Sequence, residues 1–180
     1  HDAVHAADLA RTRRNDRRFP GVELPKSISV LARIGDLPDG PALLAVPMQA
    51  LGGMLGTHGP ALGPRALVAC AKGIDLATGM GPTALISAAC PSAMPAVLTG
   101  PSFAADIARG LPTALTLACA DAGAGVALQT DLSTSALRLY RTTDTRGAEL
   151  GGALKNVVAF AAGVLIGAGL GDSARAALMT

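Results

Sequence analysis

Three uninterrupted apolar runs constrain this chain more than any other feature: Ala42 to Val46, Ala66 to Ala71 and Met94 to Thr99. Each is of strand length, and none alternates polar with apolar residues. They close on Pro47, on Lys72-Gly73 and on Gly100-Pro101. Strands apolar along their whole length belong to parallel sheets covered on both faces. Gln49 to Leu55 and Pro82 to Ala89 then serve as crossover helices, the second opened by Pro82. Leu115 to Ala118 and Leu137 to Tyr140 read as two further strands, with an Ala-rich helix around Val126 to Leu132 between them. The expected fold class is α/β, a doubly wound parallel sheet.

The flanking segments differ in character. Asp2 can cap an Ala-rich helix that runs into Arg11, Arg13, Arg14, Arg17 and Arg18. Five arginines suit a phosphate, and they equally suit a solvated helix end. After Tyr140 comes a polar link, Arg141 to Arg146, and then Leu150, Leu154, Val157, Ala161 and Leu165 at helical spacing. A division follows, with an α/β domain over residues 1–146 and the start of an all-helical domain over 147–180. Between Lys155 and Asp172 there is no charge, but this stretch is shorter than the roughly 20 residues of a membrane span and carries four glycines. A buried helix with a glycine-rich turn is the expectation, without a membrane span or secretion leader. A start at His1 and a helix-like stretch cut off at Thr180 suggest a piece of a longer protein.

Composition removes several classes. Half the residues are hydrophobic and 16% are charged, which excludes a disordered chain. With no Trp, one Tyr and three Phe there is no base-stacking surface, and a net charge of +2 calls for no polyanion, so no nucleic-acid partner is expected. Cys70, Cys90 and Cys119 form no C-x-x-C pair, and they read as small core residues rather than as a metal site.

Candidate chemistry rests on lysine, because 15 basic residues include only Lys26, Lys72 and Lys155. Lys72 ends an apolar strand, at the sheet edge where ligands bind in open α/β folds; it could also simply end that strand in solvent. Lys155 has only small or apolar neighbours at helical spacing, among them Ala148, Gly151, Gly152 and Ala159. That pattern places it in a close-packed crevice suited to proton transfer, or has it snorkel from a packed face. Gly100-Pro101-Ser102-Phe103-Ala104 joins a strand to a helix with Ser102 at the N-cap, where free N–H groups suit an oxyanion or need only a plain cap. Gly167 to Gly171 resembles a nucleotide loop but follows a helix, and no G-x-G-x-x-G follows a strand.

Taken in order, these segments resemble the NAD(P)-dependent glycerol-3-phosphate dehydrogenase family. The resemblance is carried by Thr12-Arg13-Arg14-Asn15, Pro20 to Pro25, Leu44 to Pro47, Ala71-Lys72-Gly73, the GPSFA stretch from Gly100 and the ELGGALKNVV stretch from Glu149. It implies a partial Rossmann-type NAD(P)-binding domain, followed by the start of a helical domain like that of 6-phosphogluconate dehydrogenase. It also implies reduction of dihydroxyacetone phosphate to sn-glycerol 3-phosphate for phospholipid synthesis, with NADPH or NADH, in a cytoplasmic homodimer. Carried over residue by residue, Lys155 is the proton donor and acceptor with Asn156 beside it. Lys72 touches substrate and cofactor, Gly100 and Ser102 touch substrate, and Ala104 and His1 touch cofactor. No metal is implied.

This sequence departs from the family at Met48, usually Ser, at Ile166, often Asp, and at Ser173, usually Asn. The family's glycine-rich loop would lie before His1, and its substrate-binding Asp and Arg-Asn pair after Thr180. The 180 residues alone are therefore expected to catalyse weakly or not at all. A related β-hydroxyacid dehydrogenase or ketopantoate reductase and a non-catalytic remnant of the fold are the competing readings.

Overall fold

The structure, a computed structural model, describes residues 3–180, so the Asp2 cap and the His1 contact lie outside the described residues. Among the described residues five strands form one sheet in the order β1-β2-β3-β4-β5. They are β1 (Ala42–Leu44), β2 (Ala66–Ala69), β3 (Met94–Thr99), β4 (Thr113–Cys119) and β5 (Leu137–Thr142). The helices are α1 (Ala3–Thr12), α2 (Met48–Leu62), α3 (Pro82–Ala89), α4 (Ala104–Ala108), α5 (Ala122–Leu132), α6 (Thr145–Gly167) and α7 (Gly171–Met179).

One pairing corrects the all-parallel expectation. β1, β2 and β3 are mutually parallel and so are β4 and β5, but β4 runs against β3, with Val97 opposite Ala118. A parallel neighbour needs a full crossover across one face. The other strand connections carry helices of 15, 8 and 11 residues, whereas the link from β3 to β4 holds only the 5-residue α4. The chain therefore turns back at the edge it has reached. This reversal also covers both faces: a right-handed crossover between reversed strands, advancing in the same direction, passes over the opposite side. So α2 and α3 cover one face and α5 the other.

Residues along each strand alternate between the two layers. Leu67, Ala69, Val97 and Ala118 pack with Leu51 and Leu55 of α2 and Ile86 of α3. Val68, Ala96, Leu98 and Leu117 pack with Leu128 of α5. Leu51, Leu67, Ile86 and Leu117 are fully buried, and each contributes roughly 1.5–3 kcal/mol. Cys90 lies in the first layer and Cys119 in the second, both as free thiols; Cys70 is half-buried beside the second.

The arginine-rich opening is tied to its own loop. Arg11 pairs with Asp8 at 2.6 Å and Arg14 with Asp16 at 3.3 Å. Arg13 donates to the carbonyls of Leu24 and Pro25, and Arg14 bridges Glu23 through the backbone. These contacts favour a structural role for the three residues over phosphate binding.

Asp144 caps α6, accepting from the Gly147 N–H at 2.8 Å. By length and hydropathy alone α6 could cross a membrane, and none of its residues is buried. Its first half nevertheless lies across β3 and β4, with Ala148 against the first core layer. The glycine run after α6 is a turn into α7, with Gly169 and Gly171 in the left-handed region at φ of 69° and 79°.

Candidate active site

β2 ends at Ala69, and three residues on, Lys72 rises half-buried over the carboxyl edge of the sheet. Its Nζ donates to the carbonyl of Gly100, 3.2 Å away, just past the end of β3. Gly100 has φ 147°, and a Cβ there would sit 2.8 Å from Leu115 Cδ2 and 3.3 Å from Leu115 Cα, so only glycine fits. α6 crosses the same edge. A Cβ on Gly152 would lie 2.9 Å from Thr99 Oγ1 and 3.7 Å from Lys72 Cγ, so this glycine is what lets the helix close on the end of β3.

Lys155 stands one turn beyond Gly152 and lines a cleft of about 340 Å³ with Thr99, Gly100, Pro101, Thr116 and Gly151. The structure thus brings Lys72, Gly100 and Lys155 together. Burial lowers the proton affinity of Lys72, the positive charge of Lys155 lowers it further, and Cys70 opposes both. Burial likewise pushes the Cys70 thiol up, offset in part by Lys72.

Two local expectations are corrected. Lys155 is exposed at the cleft rim rather than enclosed in a crevice. Of its small neighbours only Ala148 and Gly152 face the sheet, Gly151 and Ala159 are exposed, and Leu154 and Val157 on either side of it are more than half exposed. Ser102 is not an N-cap: Phe103 holds that position, still extended at φ −112° and ψ 127° and making no side-chain cap bond, so α4 starts one residue later. Ser102 is half-buried two residues beyond Gly100, Ala104 is exposed at the start of α4, and Asn156 is exposed next to Lys155.

One pair of residues was not legible in the sequence. Glu149 Oε1 accepts from both the backbone N–H and the hydroxyl of Thr83, each at 2.7 Å, tying α6 to the first turn of α3. Proline at the head of α3 signals a helix start with unpaired N–H groups. Nothing in the pattern says that an acceptor 66 residues downstream supplies the bond. Among the described residues no cluster of three His, Cys, Asp or Glu could hold a metal ion.

The NAD-dependent glycerol-3-phosphate dehydrogenase N-terminus model matches residues 1–124, and the corresponding C-terminus model matches residues 144–180. The chain belongs to the NAD-dependent glycerol-3-phosphate dehydrogenase family. It is 70% identical over 159 residues to a glycerol-3-phosphate dehydrogenase [NAD(P)+] of Cereibacter sphaeroides, covering 88% of this chain and 52% of the relative. A protein of the same name from Paracoccus denitrificans is 67% identical over 163 residues, covering 91% and 52%. The chain spans about half the length of these curated relatives. Among solved structures, the glycerol-3-phosphate dehydrogenase of Coxiella burnetii superimposes with a TM-score of 0.83 at 26% identity, over 98% of this chain and 55% of that one. The shared fold bears out the Rossmann-type, parallel-dominated reading of the sheet and the helical segment that follows it.

Proposed function

We propose that the protein carrying this chain reduces dihydroxyacetone phosphate to sn-glycerol 3-phosphate with NADH or NADPH, and that Lys155 gives and takes the proton. The observation that carries this reading is the pairing of Lys155, which lines a glycine-rich cleft at the carboxyl edge of the sheet, with Lys72, which bonds the carbonyl of Gly100 in that lining and feels the charge of Lys155. Both reactants carry phosphate, and the donor set, two ammonium groups beside closely approachable backbone, fits such ligands. Family membership supports the same assignment.

By resemblance to the family, Lys72, Ala104 and His1 would contact the cofactor. When bound, the nicotinamide supplies a hydride to the substrate's C2 carbonyl. The protein's own work is on the oxygen. Lys155 Nζ delivers a proton to it, and the Lys72 charge, held in place by the Gly100 carbonyl, stabilises the negative charge as it develops. Partial removal of Lys72 from water strengthens that stabilisation. By resemblance, Ser102 and Asn156, next in sequence to the lining residues Pro101 and Lys155, would supply hydrogen bonds to substrate hydroxyl or phosphate oxygens. In the reverse direction Lys155 takes the proton from the alcohol.

The product would feed glycerophospholipid synthesis in the cytoplasm, and the protein would act as a homodimer with a substrate domain beginning near residue 147. The test uses the longest open reading frame that contains this chain, beside its Lys155→Ala variant, and follows oxidation of NADPH and NADH with dihydroxyacetone phosphate. Turnover by the parent that collapses in the variant is the expected result. Neither turnover nor cofactor binding by a folded parent would overturn the assignment and leave a non-catalytic remnant.

A further inference from the structure

The 23-residue α6 carries Lys155 but has no buried residue to grip the sheet. Near the cleft it meets Thr99 of β3 at Gly152 and the first core layer at the small Ala148, neither of which brings a large side chain to lock its position along the axis. Among the described residues the only side-chain hydrogen bonds between α6 and the layers beneath it are those from Thr83 to Glu149 Oε1, both 2.7 Å long. Thr83 is the second residue of α3, so its N–H has no partner within its own helix, and a carboxylate there also meets the positive end of the helix dipole. Gly81, the N-cap, leaves room for it: a Cβ at that position would overlap the Glu149 carboxyl group. The bond is therefore built from both sides.

We propose that Glu149 is a positioning residue, whose bonds to Thr83 fix α6 along its axis so that Lys155 stands opposite Lys72. Glu149 touches no reacting atom; it acts through Lys155, six residues or about 9 Å further along the helix. The inference rests on the proton-transfer role of Lys155 proposed above. Displacement of a reacting group by about 1 Å costs on the order of 100-fold in rate, so losing this anchor falls on kcat.

The test compares kcat, KM for each reactant and the thermal midpoint in the longest open reading frame containing this chain, its Lys155→Ala, Glu149→Ala, Glu149→Gln and Thr83→Val variants, and the Glu149→Ala/Lys155→Ala double variant. Glu149→Ala is expected to lower kcat roughly 10- to 100-fold and leave KM for the nicotinamide cofactor unmoved. Glu149→Gln keeps an acceptor oxygen in the same place and restores most of kcat; Thr83→Val, which removes one donor, gives a smaller loss. In the Lys155→Ala background the Glu149 change adds no further loss. If Glu149→Ala lowers the midpoint so far that the protein no longer folds, Thr83→Val decides. An unchanged kcat in the folded Glu149 and Thr83 variants, or an equal further loss without Lys155, overturns the proposal while the role of Lys155 stands. Full turnover by Lys155→Ala overturns the role of Lys155 and this inference with it.

Discussion

Lys72 is held at some cost to folding. Its ammonium is partly withdrawn from water and faces the charge of Lys155, so its proton affinity is lower folded than unfolded. Below the folded pKa the group is charged in both states, and the folded state bears the penalty. As pH rises through that pKa toward the ordinary lysine value the folded protein releases its proton first, so this group's contribution to stability rises with pH across that window. Lys72→Met removes the penalty and keeps the aliphatic stem. The expected outcome is a thermal midpoint at neutral pH equal to or above that of the parent, with turnover lost, read by calorimetry and a coupled cofactor assay. A fall in the midpoint would show that the bond to the Gly100 carbonyl outweighs the desolvation it imposes. The same reasoning makes the titration of Lys72, followed by NMR of its side chain, move upward in Lys155→Ala, since one of the two lowering causes is gone.

At the scale of elements, all five strands and the crossover helices were legible, β2 and β3 most directly because a strand buried on both faces is apolar along its length, the partly exposed edge strands β1 and β5 less so. Strand direction was not legible: the reversal at β4 depends on how little helix the link after β3 contains. Lys72, Gly100 and Lys155 could be picked out because their residue types are scarce or sterically required where they stand. The Glu149–Thr83 bond could not, since it joins two helices far apart in the chain through groups that each look like ordinary helix-surface residues. The seating of α6 gives a clean contrast between adjacent glycines. Gly151 has open space where a Cβ would go, whereas at Gly152 the methyl would meet Thr99 Oγ1 at 2.9 Å. Gly151→Ala is therefore expected to stabilise the helix by up to about 1 kcal/mol without moving α6, so that any change in turnover comes only from the methyl it adds to the cleft. Gly152→Ala gains the same propensity but wedges α6 off the end of β3. With no buried residue to resist, the helix yields by moving, so turnover falls more than stability does. Equal kinetics for the two variants would show that the approach of α6 to β3 is not needed for the reaction.

Across the whole molecule, one sheet separates two hydrophobic layers that share strands but few neighbours. Leu51 sits in the α2 layer and Leu128 in the α5 layer, and both are buried. Each truncation to alanine should cost about 2–5 kcal/mol, the lost transfer free energy plus that of the cavity left behind. Truncations in separate layers without shared partners should add to within about 0.5 kcal/mol. The point at which the two could come apart is the seam between β3 and β4, where the parallel halves meet in four antiparallel pairs from Ala96–Cys119 to Thr99–Thr116. Val97 and Ala118 at that seam face the first layer, and Leu98 and Leu117 face the second, so each layer draws on strands from both halves. Neither half can keep its core if the seam opens. Urea unfolding of Leu51→Ala, Leu128→Ala and the double variant should therefore show one shared transition for this region, displaced additively. Separate transitions, with Leu128→Ala shifting only the later part of the chain, would mean that β4, α5 and β5 fold as a unit of their own and that the seam is a boundary rather than a joint.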